Sequence, residues 1–170
     1  DKMLLHVNSL GYHEVYLNGS PVSDAVLTPA VSQFNKRSLS VTYDITHSLR
    51  TGKNELVIWL GKGWYQDQLP GVVKGGPFVR AQLEVRNNNA WETFQVTDSS
   101  WLARESGYTS FGTWRPHQFG GEEIYAEKLI ALDAVSLNKE NWTLAKIVDI
   151  PEHTTSPQMV EFNRIQQAFH

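Results

Sequence analysis

The sequence predicts an all-β fold, a β-sandwich carrying one or two short helical turns. Three observations lead there. Roughly eight to ten short runs are apolar or alternate in polarity, as extended chain requires. Glycine, proline and asparagine clusters separate them. No stretch sustains the 3.6-residue apolar period of a long helix.

The elements follow in chain order. Lys2 to Asn8 alternates weakly and reads as a strand. Tyr12 to Leu17 reads as the next, closed by Asn18-Gly19, a pair suited to the positive φ angles of a tight hairpin. Val22 to Val31 is irregular, since Pro21 and Pro29 oppose a helix. Ser38 to Tyr43 is extended. Asp44 to Arg50 is a short helical turn, with Asp44 or Thr46 as cap and Gly52 as stop. Leu56-Val57-Ile58-Trp59-Leu60 is a continuous apolar run, which predicts a central strand buried on both faces. Gly61-Lys62-Gly63 breaks it and leaves Trp64 and Tyr65 at the rim. Residues 66–77 form a glycine- and proline-rich loop. Phe78 to Arg86 alternates cleanly, with Val79, Ala81, Leu83 and Val85 on one face. Asn87-Asn88-Asn89 turns the chain into a return strand from Trp91 to Val96. Trp101 to Arg104 is short and extended, and Tyr108 to Pro116 is an aromatic loop or edge. Glu123 to Ile130 reads as a strand or a helical turn. Leu144 to Ile150 reads as a strand bounded by Pro151. The expected organisation is a sandwich over 1–151, then over 152–170 a C-terminal tail or the start of the linker or next domain, with one more strand at Arg164 to Phe169 as an option.

Composition narrows the function. The 170 residues are 41% hydrophobic and 19% charged, which suits a packed domain of about this size. A net charge of −3 argues against nucleic acid, whose phosphates attract basic surfaces. With no cysteine, disulfides and thiolate metal sites are excluded. The longest apolar run falls far short of the ~20 residues that span a bilayer as a helix, so no membrane partner is expected. The chain opens in mid-strand, as a domain of a longer polypeptide would.

Catalytic signatures are weak. The carboxylates Asp67, Asp98, Glu122, Glu123, Glu127 and Asp133 have no diagnostic spacing, and Glu122-Glu123 would face opposite sides of a strand. The six histidines lack metal-binding helical spacing, and only His117, beside Arg115 in an aromatic loop, stands out. No catalytic residue and no metal ligand is assigned. The aromatics carry more: Trp64 and Tyr65 at a strand end, and Tyr108, Phe111, Trp114 and Phe119 among glycines. Flat rings stack on the apolar faces of sugars, and they also fill cores and interdomain contacts.

The order of motifs is more specific. Gly11-Tyr12-His13-Glu14-Val15-Tyr16-Leu17-Asn18-Gly19, Asp24 to Pro29, Thr42 to Thr46, Gly61-Lys62-Gly63-Trp64-Tyr65, Gly76 to Leu83, Thr97 to Trp101 and Gly120 to Glu127 follow one another. This order resembles the N-terminal β-sandwich domain of bacterial α-L-rhamnosidases, glycoside hydrolase family 78, over residues 3 to 150. The resemblance implies a jelly-roll-like, galactose-binding-like fold. It also implies a non-catalytic module, because in that family hydrolysis belongs to a separate (α/α)6 barrel. The parent enzyme is then expected in the periplasm or outside the cell.

Some domains of this kind resemble carbohydrate-binding module family 67, which binds rhamnose with calcium through an Asp-Asn pair and a tryptophan. The resemblance maps these onto Gln33-Phe34-Asn35 and Trp64. Gln33 and Asn35 offer neutral amides where a hard cation wants carboxylates, so no cofactor is expected; calcium, with the Pro77 carbonyl as a ligand, is the alternative that the resemblance leaves open. The expected binding set is Trp64 for stacking, with Tyr65, Gln33 and Asn35 for hydrogen bonds. The expected partners are a rhamnose-containing saccharide and other domains of the same polypeptide. A purely structural interdomain module is the alternative, and a free-standing hydrolase would need Glu122 and Asp67 to converge.

Overall fold

The computed structural model describes residues 2–65, 72–112, 117, 120–129, 141–150 and 152–168. The strands are β1 (Lys2–Leu10), β2 (Tyr12–Leu17), β3 (Ser20–Pro21), β4 (Ala25–Val26), β5 (Arg37–Asp44), β6 (Leu56–Gly61) and β7 (Phe78–Asn87). They continue with β8 (Ala90–Val96), β9 (Leu102–Ala103), β10 (Tyr108–Phe111), β11 (Gly121–Ile124), β12 (Thr143–Leu144), β13 (Thr154–Pro157) and β14 (Asn163–Arg164). Two short 3₁₀ turns, Thr46–Ser48 and Ala126–Lys128, are the helical content among the described residues.

Two sheets face each other. The larger has the order β13-β5-β1-β7-β8, and the smaller β3-β2-β6. Strand β1 lies at the centre of the larger sheet, antiparallel to β5 and β7. The register sets Val7 between Val41 and Ala81, and Leu5 between Tyr43 and Leu83. Alternation then turns all six inward, where Val15 and Leu17 of β2 and Ile45 meet them as one buried cluster. Leu5, Val7 and Ile45 are fully buried. Each such side chain stabilises the fold by about 1.5–3 kcal/mol through removal from water. The opposite face of the larger sheet is polar: His6 meets Thr42 at 2.8 Å and Glu84 at 3.2 Å, and the Gln82 amide donates to Glu84 at 2.7 Å.

The Asn18-Gly19 hairpin forms as expected, with φ of +53° and +85°. The turn after β5 is built on Asp44, whose carboxylate accepts the Thr46 N–H at 3.1 Å and its hydroxyl at 2.6 Å.

Three expectations are corrected. The apolar run of β6 is not a central strand: among the described residues it pairs with β2 alone and is half-buried. Its apolar character on both faces has two causes. Leu56 and Ile58 pack on the core, while Trp59 turns outward against the Tyr108 ring at 5.5 Å. Residues 154–157, read as irregular, form a strand: β13 adds in parallel to β5, and β14, at 163–164, pairs with β4. Of the strand expected over 144–150, only Leu144 joins a ladder, through β12 and β9. The segment from Glu123 takes both expected forms in turn, ending β11 and then making the second 3₁₀ turn; Ile130, Pro151 and Phe169 lie outside the described residues.

A polar chain runs through the core. His13 is buried; its Nδ1 lies 2.7 Å from Ser9 Oγ and its Nε2 2.9 Å from the Tyr43 hydroxyl. Ser9 Oγ donates to the Gly11 carbonyl at 3.0 Å, so it accepts from an Nδ1–H, and Nε2 accepts from Tyr43. This neutral tautomer satisfies every group, and burial lowers the His13 pKa to about 4. The folded state thus binds this proton less readily than the unfolded chain. Stability is complete above about pH 6.5 and falls as the pH drops from there toward 4. The loss should approach about 3 kcal/mol at full desolvation. Urea melts between pH 7.5 and 4.5 check this, with His13→Gln expected to flatten the slope; an equal slope in that variant would refute the assignment.

Candidate functional site

One end of the sandwich gathers the start of β2, the end of β6 and the approach to β7. The chain leaves β6 through Gly61-Lys62-Gly63, and the Tyr65 N–H donates back to the Lys62 carbonyl at 2.9 Å. This tight turn separates two adjacent aromatics. Trp64 is 51% exposed and Tyr65 only 1%. Gly63 allows it, since its φ is +52° and a Cβ there would lie 2.5 Å from the Tyr12 ring. The backbone therefore rests flat on Tyr12. The Tyr12 hydroxyl also takes a hydrogen bond from the Trp64 side chain, which offers only its indole N–H. Burial pushes the Tyr12 phenol up, and this bond partly offsets the shift.

Tyr65 holds the turns together. Its ring meets Phe34 edge-on at 5.1 Å and Phe78 at 6.1 Å. Its hydroxyl accepts the Val73 N–H at 2.8 Å. Gly76 lies against the same ring, where a Cβ would come within 2.7 Å. Phe34 carries its neighbours to the site: Gln33 and Asn35 are exposed on either side of it. Their turn is closed by the Gln33 carbonyl, which accepts the Lys36 and Arg37 N–H groups, each at 2.8 Å.

Of the four residues expected to bind a ligand, Trp64, Gln33 and Asn35 are presented to solvent on adjoining turns. Tyr65 is placed differently. Its ring is buried and its hydroxyl is engaged, so it braces the site from within. Sequence reasoning passed over Phe34, Phe78 and Tyr12. The signal for Phe34 was a lone aromatic between two polar residues.

The remaining candidates do not converge. Glu122 is exposed on β11 opposite Ser110, and Glu123 accepts the Tyr125 hydroxyl at 3.0 Å. Asp98 caps its own turn through Ser100, whose side-chain and backbone hydrogen bonds hold its carboxyl below the usual range. His117 is exposed at a φ of +68°. Asp67, Asp133, Trp114, Arg115 and Phe119 lie outside the described residues. Among the described residues no three His, Asp or Glu side chains gather as a metal site would need.

The family model for the α-L-rhamnosidase N-terminal domain matches residues 1–167. An α-L-rhamnosidase of Formosa agariphila is 34% identical over 110 residues, covering 59% of this chain and 12% of that protein. One from Streptomyces avermitilis is 36% identical over 103 residues, covering 58% of this chain and 10% of the relative. The chain thus spans about an eighth of the length of the curated relatives it matches. Among solved structures, the α-L-rhamnosidase from Dictyoglumus thermophilum superposes with a TM-score of 0.80 at 24% identity, over 98% of this chain and 18% of that one. The Streptomyces avermitilis enzyme complexed with L-rhamnose gives a TM-score of 0.61 at 25% identity, over 88% and 15%.

The packing of Tyr65 makes a testable demand. Gly76→Ala should lower stability by about 1–3 kcal/mol, because the added methyl drives into a ring held on three sides. Gly61→Ala, with open space around its Cβ position, should stay within about 0.5 kcal/mol of the parent. Chemical denaturation of both variants makes the comparison.

Proposed function

The chain belongs to the family of α-L-rhamnosidase N-terminal domains, and on that premise we propose that it is a non-catalytic accessory module recognising rhamnose-containing saccharides at the Trp64 rim. The observation that carries this reading is the half-exposed Trp64, with the exposed amides of Gln33 and Asn35 on a turn joined to its own by the Phe34–Tyr65 contact. An indole face covers the C–H face of a sugar ring, and neutral amides donate to and accept from its hydroxyls. The relative solved with L-rhamnose supports that sugar as the ligand class. Hydrolysis is assigned to the remainder of a longer enzyme, since cleaving a glycosidic bond takes two carboxylates about 5–10 Å apart. The described rim turns, 33–37, 61–65 and 72–77, carry no carboxylate. On this reading a glycan substrate favours a periplasmic or extracellular enzyme.

Calorimetric titration with L-rhamnose tests the reading. Binding in the millimolar range is expected, and Trp64→Ala should weaken it about tenfold, the equivalent of one lost ring stack. Absence of heat up to tens of millimolar would leave the module without this role.

A second reading, bracing of the rest of the polypeptide, is favoured by a different observation. Phe94, Leu144 and Ile147 are 64%, 65% and 76% exposed, and such apolar surface commonly marks an interface. Hydrogen exchange over 143–148 should then be slower in a full-length enzyme than in this chain. Equal exchange would count against bracing through this flank.

A further inference from the structure

Resting on Trp64 as a sugar platform, we propose that the rim prefers saccharides bearing an anionic group, a carboxylate or a sulfate ester, over neutral rhamnosides. Three turns meet at Tyr65, through the Lys62 carbonyl at 2.9 Å, the Val73 N–H at 2.8 Å and the Phe34 ring at 5.1 Å. Each turn carries one exposed lysine: Lys62, Lys74 and Lys36. Arg37, also exposed, follows Lys36.

Among the described residues the charge there is one-sided. Among the described residues of 33–37, 61–65 and 72–77 there is no Asp or Glu. The ion pairs formed among described residues use Lys2, His6, Lys128 and Arg164, and none involves the three rim lysines. The chain as a whole is acidic, with 15 basic against 18 acidic residues, so this concentration of positive charge is local. Exposed lysines on the three turns that pack around Tyr65 would attract an anionic substituent while the Trp64 ring holds the pyranose face. Together they should improve affinity about tenfold at low salt. The same field opposes a divalent cation, which would also lack the carboxylate oxygens it favours. Binding should therefore proceed without calcium.

The test uses L-rhamnose, a glucuronosyl-rhamnose disaccharide and a rhamnose monosulfate, titrated at about 20 mM and about 500 mM salt with and without EDTA. Either or both anionic probes should bind about tenfold tighter than L-rhamnose at low salt. Which of them does so names the anion, and the advantage should nearly vanish at high salt. EDTA should change nothing. The variant Lys36→Gln, Lys62→Gln, Lys74→Gln should bring the ratio of anionic to neutral affinity close to one. Because all three side chains are exposed, a thermal melt should show the fold intact. Equal affinity for all probes, an advantage that persists in the triple variant, or binding lost on chelation would overturn the inference. Neutral binding without anionic preference defeats it alone, whereas no binding by any probe defeats the platform reading as well.

Discussion

Tyr65 is the constraint on which the functional end of the molecule depends. Its ring is enclosed by Phe34, Phe78 and the backbone of Gly76, and its hydroxyl takes the Val73 N–H. Three turns from separate parts of the chain are thereby fixed around one side chain. Burying an aromatic of this size favours the arrangement strongly, and the hydrogen bond leaves its polar tip satisfied. Trp64 is exposed for the same reason. In a turn this tight its neighbour has taken the inward position, and its indole is left to lie outside, tethered to Tyr12.

The scaffold behind this end is a two-layered core of modest extent. Strand β1 supplies its centre, and cross-strand neighbours from β5 and β7 complete one layer against β2. Among the described residues the core admits one histidine, His13, because Ser9, Gly11 and Tyr43 satisfy it as a neutral ring. The arrangement ties the base of β2, which leads into the rim through Tyr12, to β1 and β5. Rim and core are thus continuous through residues 9–13.

The two ends of the fold differ in chemistry. The rim is polar and basic around one flat ring, a surface suited to a soluble polyhydroxylated ligand. The flank formed by β8, β12 and the residues after β12 exposes large aliphatic and aromatic groups, which suits a protein contact. The two proposed roles, recognition and bracing, draw on different residues.

Several features were fixed by local sequence. The alternation of β7, the Asn-Gly hairpin and the glycine break after β6 each depend on side-chain period or on allowed φ angles, which neighbours in the chain decide. The position of Trp64 at a strand end was legible for that reason. The sheet position of β6 was not, because an apolar run on both faces looks the same whether a second sheet or an outlying ring such as Tyr108 covers the outer side. Nor was the role of 154–157, whose polar residues join β5 through backbone hydrogen bonds that leave no mark on side-chain pattern. The contrast between Trp64 and Tyr65 also belonged to the tertiary level. Both are large aromatics at one strand end, and only the closure of Phe34, Phe78 and Gly76 around one of them decided which is buried and which is offered to solvent.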